Sequence, residues 1–417
     1  MVIKEAVRRP LALKNTIQEY LWGSHTAIQQ LMGVPKTGAP WAELWMGTHP
    51  KAPSQIKIDG KWMGLDALIR QFPDEILGPP TAAKFNGALP FLFKILAAQH
   101  PLSIQAHPDK TRAAAGFVRE TASGIALDDP ARNYRDPSHK PECICALTPF
   151  TALKSFRDTD DITGILKRLC PDGIASLIPD APAGDLKGLG YKHEKPAAPF
   201  IRHLYVSLLC LPPDQKKRII AETLENARLD AAKDPVCAWI LRLYQYYPED
   251  IGILGPALMN LVTLTPGQAL FLESGELHAY LYGMGIEIMA NSDNVLRAGL
   301  TVKHVDTEEL LDAARFDPCP VEILAPQTVA PHESRYLVHA EEFVLSKIAL
   351  KHKTVYAAPE DRSVEILLCT GGTARLTHPE LADEMILKPG DSVIIPAQAD
   401  PYHLSGKASI YKAGAPI

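Results

Sequence analysis

The stretch Leu264-Thr265-Pro266-Gly267, followed by the apolar run Leu270-Phe271-Leu272 and then His278, returns late in the chain as Leu387-Lys388-Pro389-Gly390, Val393-Ile394-Ile395 and His403. In each copy Pro-Gly makes a tight turn, because proline presets the first turn position and glycine accepts the left-handed conformation after it. An apolar strand follows, and a second turn presents a histidine. Two such units imply two related β-rich bodies. The length of 417 residues agrees, since at roughly 150 residues per domain the chain holds two or three. Its 36 prolines against 27 glycines favour many short strands joined by fixed turns.

Upstream, the first 150 residues carry short apolar runs such as Phe91-Leu92-Phe93 and Leu102-Ser103-Ile104, broken by Pro and Gly, and read as mostly β. The pattern changes between about 153 and 262. Asp234-Pro235 is a helix cap with proline in the first helical position, and Val236, Trp239, Ile240, Leu243 and Tyr247 recur at helical spacing. A second helix spans Asp214 to Ala232, with Ile219, Ile220, Leu224 and Ala227 on one face. The repeated turn-strand-turn-His unit resembles the second sequence motif of cupins, which are small jelly-roll barrels. The expected fold is therefore mainly β with an α insert: two cupin-like jelly-roll barrels plus a helical domain. Residues 1–152 and 263–325 would form the first barrel, 153–262 the insert and 326–417 the C-terminal barrel.

Composition narrows the function classes. With 43 Lys and Arg against 48 Asp and Glu, a net charge of -5 and no basic stripe, a nucleic-acid partner is not expected. The opening MVIKEAVRRPLALK lacks an apolar run of signal-peptide length, and no stretch approaches the roughly 18 apolar residues of a membrane span, so the cytoplasm is the expected location. Seven scattered cysteines fit reduced thiols better than a disulfide framework.

The chemistry-bearing residues fall into three clusters. Along an extended Leu102 to His107, paired as a hairpin with Phe91 to Leu96, side chains alternate, so Ser103, Gln105 and His107 share a face. Ser138-His139-Lys140-Pro141-Glu142 leads straight into the apolar Cys143-Ile144-Cys145, and a carboxylate opening a buried strand needs a partner. Gln105, His107, Glu142 and His278 would offer two nitrogens and two oxygens, a set suited to Zn²⁺ with an open position for water. Cys143 and Cys145, out of phase with Glu142, should face away from the metal. The third cluster runs from Glu276-Leu277-His278-Ala279-Tyr280 through Glu287 in its apolar strand to Asp293, Arg297 and Lys303; Asp293 and Arg297 could equally form a loop ion pair. Lys94, in the middle of an apolar strand, must reach solvent, a carboxylate or a phosphate.

Taken in order, Tyr20-Leu21-Trp22-Gly23, Ala42-Glu43-Leu44-Trp45-Met46-Gly47-Thr48-His49-Pro50, Pro101 to Lys110, His139-Lys140-Pro141-Glu142, Ala146 to Phe150, Gly275 to Tyr280 and Asn291 to Thr301 resemble the sequence blocks of the type I phosphomannose isomerases, the zinc-dependent mannose-6-phosphate isomerases. The resemblance implies that Gln105, His107, Glu142 and His278 hold one Zn²⁺ per chain, and that Arg297 is the active-site arginine. It places Lys140, His139, Asp293, Glu287, Tyr280 and Glu43 around the sugar, Lys94, Ser103 and Lys303 toward the phosphate, and lets Trp22 stack on the sugar face. Leu21 stands where the family often has Asp, and Val302 where Pro is usual before Lys303.

The implied reaction interconverts mannose 6-phosphate and fructose 6-phosphate through an enediolate, supplying mannose 6-phosphate for GDP-mannose formation or passing mannose into glycolysis. The base is open among Lys140, Asp293, Glu287 and His139, with Lys140 or Asp293 favoured. The partner is a small sugar phosphate, with no membrane partner, and a monomer suffices. A cupin dioxygenase would want three facial ligands for iron, which the glutamine ligand and the many cationic groups argue against. A non-catalytic sugar-phosphate binder or a regulator is the other class, and the segment Asp214 to Tyr247 shows no basic DNA-reading face. No Gly-rich nucleotide motif is present, so nucleotide transfer is not expected. The C-terminal barrel, with His403 and His378 but no carboxylate cluster, is expected to hold no metal.

Overall fold

The computed structural model describes residues 7–175, 177 and 197–417, so the parts of the expected helical insert at 176 and 178–196 lie outside the described residues. Two large antiparallel sheets dominate, one of ten strands and one of nine. The ten-strand sheet carries the expected ligands and is organised around the long strand His278–Ala290. That strand pairs with Phe91–Ala98, setting Glu287 opposite Lys94, and with Glu142–Ala146, setting Met289 opposite Glu142. Its first residue meets Ile104–Ala106, where His278 lies opposite Gln105. One strand can serve these partners because the register shifts between Tyr280 and Tyr282, a bulge that re-aims the chain. Gly283 sits at φ 120° just after it, where a Cβ would come within 2.6 Å of the Pro149 carbonyl oxygen.

The nine-strand sheet contains Val344–Leu350, Glu365–Thr377, Ser392–Ile395 and His403–Gly414. The repeat is visible in the backbone: Gly267 and Gly390 adopt φ of 92° and 93° and lead into Ala269–Leu272 and Ser392–Ile395. The two sheets share a core in which Leu44, Ile95 and Ile286 pack with Tyr336, Leu345 and Ile366. Burying each such aliphatic chain is worth about 1.5–3 kcal/mol. Cys143 and Cys145 face this interface, the Cys145 Sγ lying 2.9 Å from the Tyr336 hydroxyl, and burial raises the thiol pKa of both. All seven cysteines are free.

The helices form where capping and periodicity predict. Pro235–Tyr246 is opened by Asp234, whose carboxylate accepts from the Val236 amide at 2.8 Å, and it buries Val236, Ile240 and Leu243. Pro213–Asp230 buries Ile219, Ile220, Leu224 and Ala227. Their core runs on into the ten-strand sheet through Ile104, Leu153 and Leu281.

Four expectations need correction. The strands at Phe91 and at Leu102 are not a hairpin; both pair with His278–Ala290, along different lengths of it. The first 150 residues are not mostly strand. Leu65–Gln71, Pro73–Leu77, Pro79–Lys84 and Lys110–Ala122 are helices, and Pro73 and Pro79 open theirs, where the missing N–H costs nothing. The insert boundaries shift inward, because Phe150–Phe156 and Met259–Leu264 pair as strands. The N-terminal segment is shared too: Leu11–Ala12 joins the nine-strand sheet, with Leu11 opposite Ile394.

Candidate metal centre

His107, Glu142 and His278 present their ligand atoms within 4.8 Å of one another, and all three are buried. Each imidazole is oriented by a backbone carbonyl: His107 Nδ1 lies 2.7 Å from the Asn294 oxygen and His278 Nδ1 lies 2.9 Å from the Glu276 oxygen. A carbonyl only accepts, so Nδ1 carries the proton and Nε2 offers its lone pair to the centre. The Glu142 carboxylate completes the set, Oε1 at 3.3 Å from His107 Nε2 and Oε2 at 3.5 Å from His278 Nε2. Gln105 closes it, its amide 3.3 Å from His278 Nε2; the amide oxygen and nitrogen are interchangeable by rotation, and the oxygen is the metal-binding face.

The charge states suit a divalent cation. Burial, then the Lys140 charge, lowers the His107 pKa to about 4, so the ring is neutral at pH 7. Burial alone would raise the Glu142 carboxyl, but Lys140 and His107 outweigh it and hold it well below the usual range. The buried His107 Nε2 and Glu142 Oε2 have no hydrogen-bond partner, an arrangement costly in isolation and natural for metal ligands. The donor set therefore fits Zn²⁺.

A cavity of about 390 Å³ opens from this cluster, lined by Trp22, Glu43, Lys94, Gln105, Tyr280, Glu287, Asp293, Arg297 and Lys303, with Lys140 and Glu142. Lys140 Nζ lies 2.9 Å from Glu142 Oε1. One wall is a buried ion cluster: Lys94 Nζ sits 2.8 Å from Glu287 and 3.5 Å from Glu43, which also accepts from the Trp45 indole at 2.7 Å. Burial pushes the Lys94 pKa down, yet the carboxylates more than reverse that and raise it. Glu287 is raised, because burial and the neighbouring Glu142 and Glu43 outweigh Lys94. Lys94 thus lines the cavity as the partner of two carboxylates.

The cavity is also strongly cationic. Arg297, cross-strand neighbour of Gln105, shares it with Lys303 and with Arg135, which the sequence reading had not singled out. Burial and the Arg135 charge lower the Arg297 pKa, and burial with Arg297, Arg135 and Lys51 lowers that of Lys303. No acidic group is among the charges acting on either, so an anion bound there relieves their repulsion.

Other expected residues lie differently. Asp293 does not pair with Arg297; it accepts from His49 at 3.1 Å and Lys51 at 2.8 Å, and these bonds outweigh burial and hold its carboxyl far below the usual range. His139 turns away from the cavity to Glu342, at 2.7 Å, because adjacent residues of an extended chain point to opposite sides. Ser103 does not line the cavity either: regular strand starts only at Ile104, so the alternation extrapolated back to Ser103 fails. His49 and Lys51 were missed as partners; His49 lies inside a recognised block, and only its 3% exposure marks it. In the second sheet His403 is exposed, and His378 Nε2 is 3.0 Å from the Asp400 carbonyl oxygen.

The model of the phosphomannose isomerase type I catalytic domain matches residues 11–159, and that of the mannose-6-phosphate isomerase cupin domain matches 332–413. Over 399 residues the chain is 39% identical to the mannose-6-phosphate isomerase of Salmonella typhimurium, covering 94% of this chain and 96% of that one. The human mannose-6-phosphate isomerase is 33% identical over 418 residues, covering 94% of each. A crystal structure of the Salmonella typhimurium enzyme bound to fructose 6-phosphate and zinc superposes with a TM-score of 0.88 at 37% identity, covering 98% of this chain and 100% of that one. Another, of mannose 6-phosphate isomerase with zinc and yttrium, has a TM-score of 0.87 at 37% identity with the same coverage.

Proposed function

This chain belongs to the type I phosphomannose isomerases, and from that premise we propose which of its groups carry the reaction. The chain interconverts mannose 6-phosphate and fructose 6-phosphate. The observation that carries the reading is the buried ligand cluster on a cavity that also holds Arg297, Lys303 and Arg135. A sugar phosphate has matching polarity, with a carbonyl at C1 or C2 and a dianion at C6.

Gln105, His107, Glu142 and His278 hold the zinc ion, which supplies Lewis acidity to the oxygens on C1 and C2. Arg297, beside Gln105 on the neighbouring strand, adds positive charge where the enediolate develops. Lys303 and Arg135 bind the phosphate, giving remote binding energy that orients the sugar. Glu43 and Glu287, held by Lys94, accept hydrogen bonds from sugar hydroxyls, and Trp22 covers a face of the chain. Tyr280, whose hydroxyl pKa is raised well above its ordinary value by burial and the Glu287 and Glu142 charges, stays protonated and donates.

Lys140 carries the proton between C1 and C2, its Nζ lone pair taking it from one carbon and the N–H returning it to the other, as the side-chain amine in contact with the ligand cluster. Asp293 is too weak a base for that task, its charge already being satisfied by His49 and Lys51. Loss of a C2 deuterium label from mannose 6-phosphate tests the assignment. Lys140→Met should abolish label loss while zinc and sugar phosphate still bind; unchanged loss would reject Lys140 and leave Glu287 as the base.

The same reading extends to architecture. The sheets are two cupin-like barrels, the first carrying the helical insert, supported by the repeated Pro-Gly turn and the cupin-domain match. A monomer suffices, since every group invoked comes from one chain. Seven free cysteines support a reducing compartment such as the cytoplasm.

A further inference from the structure

Outside the site described, the nine-strand sheet also holds a buried ion cluster. Lys412, 6% exposed, places Nζ 2.9 Å from Glu333 and 3.0 Å from Glu365. Tyrosines cap both carboxylates, Tyr356 donating to Glu333 at 2.8 Å and Tyr402 to Glu365 at 2.9 Å. This arrangement repeats the wall of the first cavity, where Lys94 bridges Glu287 and Glu43 and Tyr280 stands beside Glu287. Both clusters are built on central strands, and both face a cavity. The second cavity has a volume of about 260 Å³ and is lined by Glu333, Glu365 and Lys412 together with Arg335, Ser346 and Arg362.

A purely structural ion cluster needs no such opening. It would be sealed by apolar packing, because exposing it to intermittent hydration brings nothing and leaving donors idle is costly. Here donors are idle. The Nε atoms of Arg335 and Arg362 are buried without a hydrogen-bond partner, while the terminal nitrogens of Arg362 are taken up by the carbonyls of Pro396, Ala399 and Asp400. The two carboxylates, the ammonium and the two guanidinium residues thus line one small space.

The chemistry of that space differs from the first cavity in one respect. Arg335, Arg362 and Lys412 are balanced by Glu333, Glu365 and the rim residue Asp361, so there is no uncompensated cationic cluster to receive a phosphate. Donor and acceptor side chains of balanced charge around one space match a polyhydroxyl compound, whose every hydroxyl both gives and accepts a hydrogen bond. The volume lies below the roughly 300–1,000 Å³ of drug-sized pockets, which limits the occupant to one ring or a short open chain. We propose that the cavity around Lys412, Glu333, Glu365 and Arg335 is a second ligand site, taking an unphosphorylated monosaccharide or polyol. The proposal is independent of the roles assigned at the metal centre.

Calorimetric titration of the zinc-loaded chain with D-mannose, D-fructose and D-mannitol, with fructose 6-phosphate present to saturate the first cavity, tests it. Saturable binding of at least one of these probes is expected. Two substitutions should weaken it at least tenfold, Arg335→Ala by removing a guanidinium that lines the cavity and Val344→Phe by filling the cavity from its half-buried rim. Turnover of mannose 6-phosphate should be unchanged in both. The absence of saturable binding by all three probes, binding that survives both substitutions, or binding seen only without fructose 6-phosphate would each overturn the proposal.

Discussion

Gln105 and His278 are cross-strand partners in register, and their side-chain Nε2 atoms lie 3.3 Å apart. The pair joins ligands that lie far apart in the chain, so the metal centre depends on the register of this one strand contact. A slip of either strand by one residue would turn its side chain to the opposite face from its partner's. On its other side Gln105 lies opposite Arg297, which sets a guanidinium residue next to the ligand cluster.

Asn294 holds that arrangement from behind. Its backbone oxygen orients His107, and its buried side chain bonds the Arg135 amide and the carbonyls of Asp136 and Ser138. Asn294→Ala should lower zinc affinity about 10–100-fold, as loss of supporting groups around metal-bound histidines does. Competition against a chromogenic chelator measures this directly.

The neutral state of His107 has a consequence for stability. Its folded pKa of about 4 lies below the unfolded value of 6.5, so between these values the unfolded chain binds the extra proton. The metal-free protein should therefore lose stability as pH falls from 6.5 to 4, by about 3 kcal/mol for a shift of this size, with no further change from this group below it. Urea titrations of the metal-free chain across that range check the slope, which His107→Asn should remove. The Glu142 carboxyl, held well below its ordinary value, acts in a separate and more acidic window.

Lys94 sits under two carboxylates and is 6% exposed. Lys94→Met would leave Glu43 and Glu287 buried without their countercharge, and breaking a buried pair in this way destabilises by about 3–5 kcal/mol. Urea unfolding at pH 7 measures the loss, and partial recovery in the double substitution Lys94→Met with Glu287→Gln would identify the unpaired charge as its cause.

In the proposed reading Lys303 acts on the phosphate, which is bound alike in the ground and transition states. Lys303→Ala should raise KM about 10–150-fold, the equivalent of one charged hydrogen bond, with kcat changed much less. Steady-state kinetics separate the two parameters, and a fall confined to kcat would contradict the phosphate assignment.

The ligand set was legible in the sequence because few residue types bind metals, and His107, Glu142 and His278 stand at strand ends, where alternation predicts facing. Orientation at loop residues was not. His139 and Lys140 are adjacent, and only the path of the backbone decides that Lys140 enters the cavity while His139 turns to Glu342. The charge of Lys94 was visible, but its partners Glu43 and Glu287 come from two other strands, and no local pattern announces them. Proline misled for a related reason: it punctuates strands and also opens helices, and Pro73 and Pro79 do the latter. The strand Leu11–Ala12, only two residues long, was beneath any periodicity.

Zinc titration of the metal-stripped chain, followed by turnover of mannose 6-phosphate to fructose 6-phosphate, tests the central claim most directly. The account predicts no turnover without metal, and activity that rises with added zinc to a plateau at about one ion per chain, as a single four-ligand site requires. Turnover that persists in the fully stripped protein, or a zinc response that remains unchanged in Glu142→Ala, would contradict it.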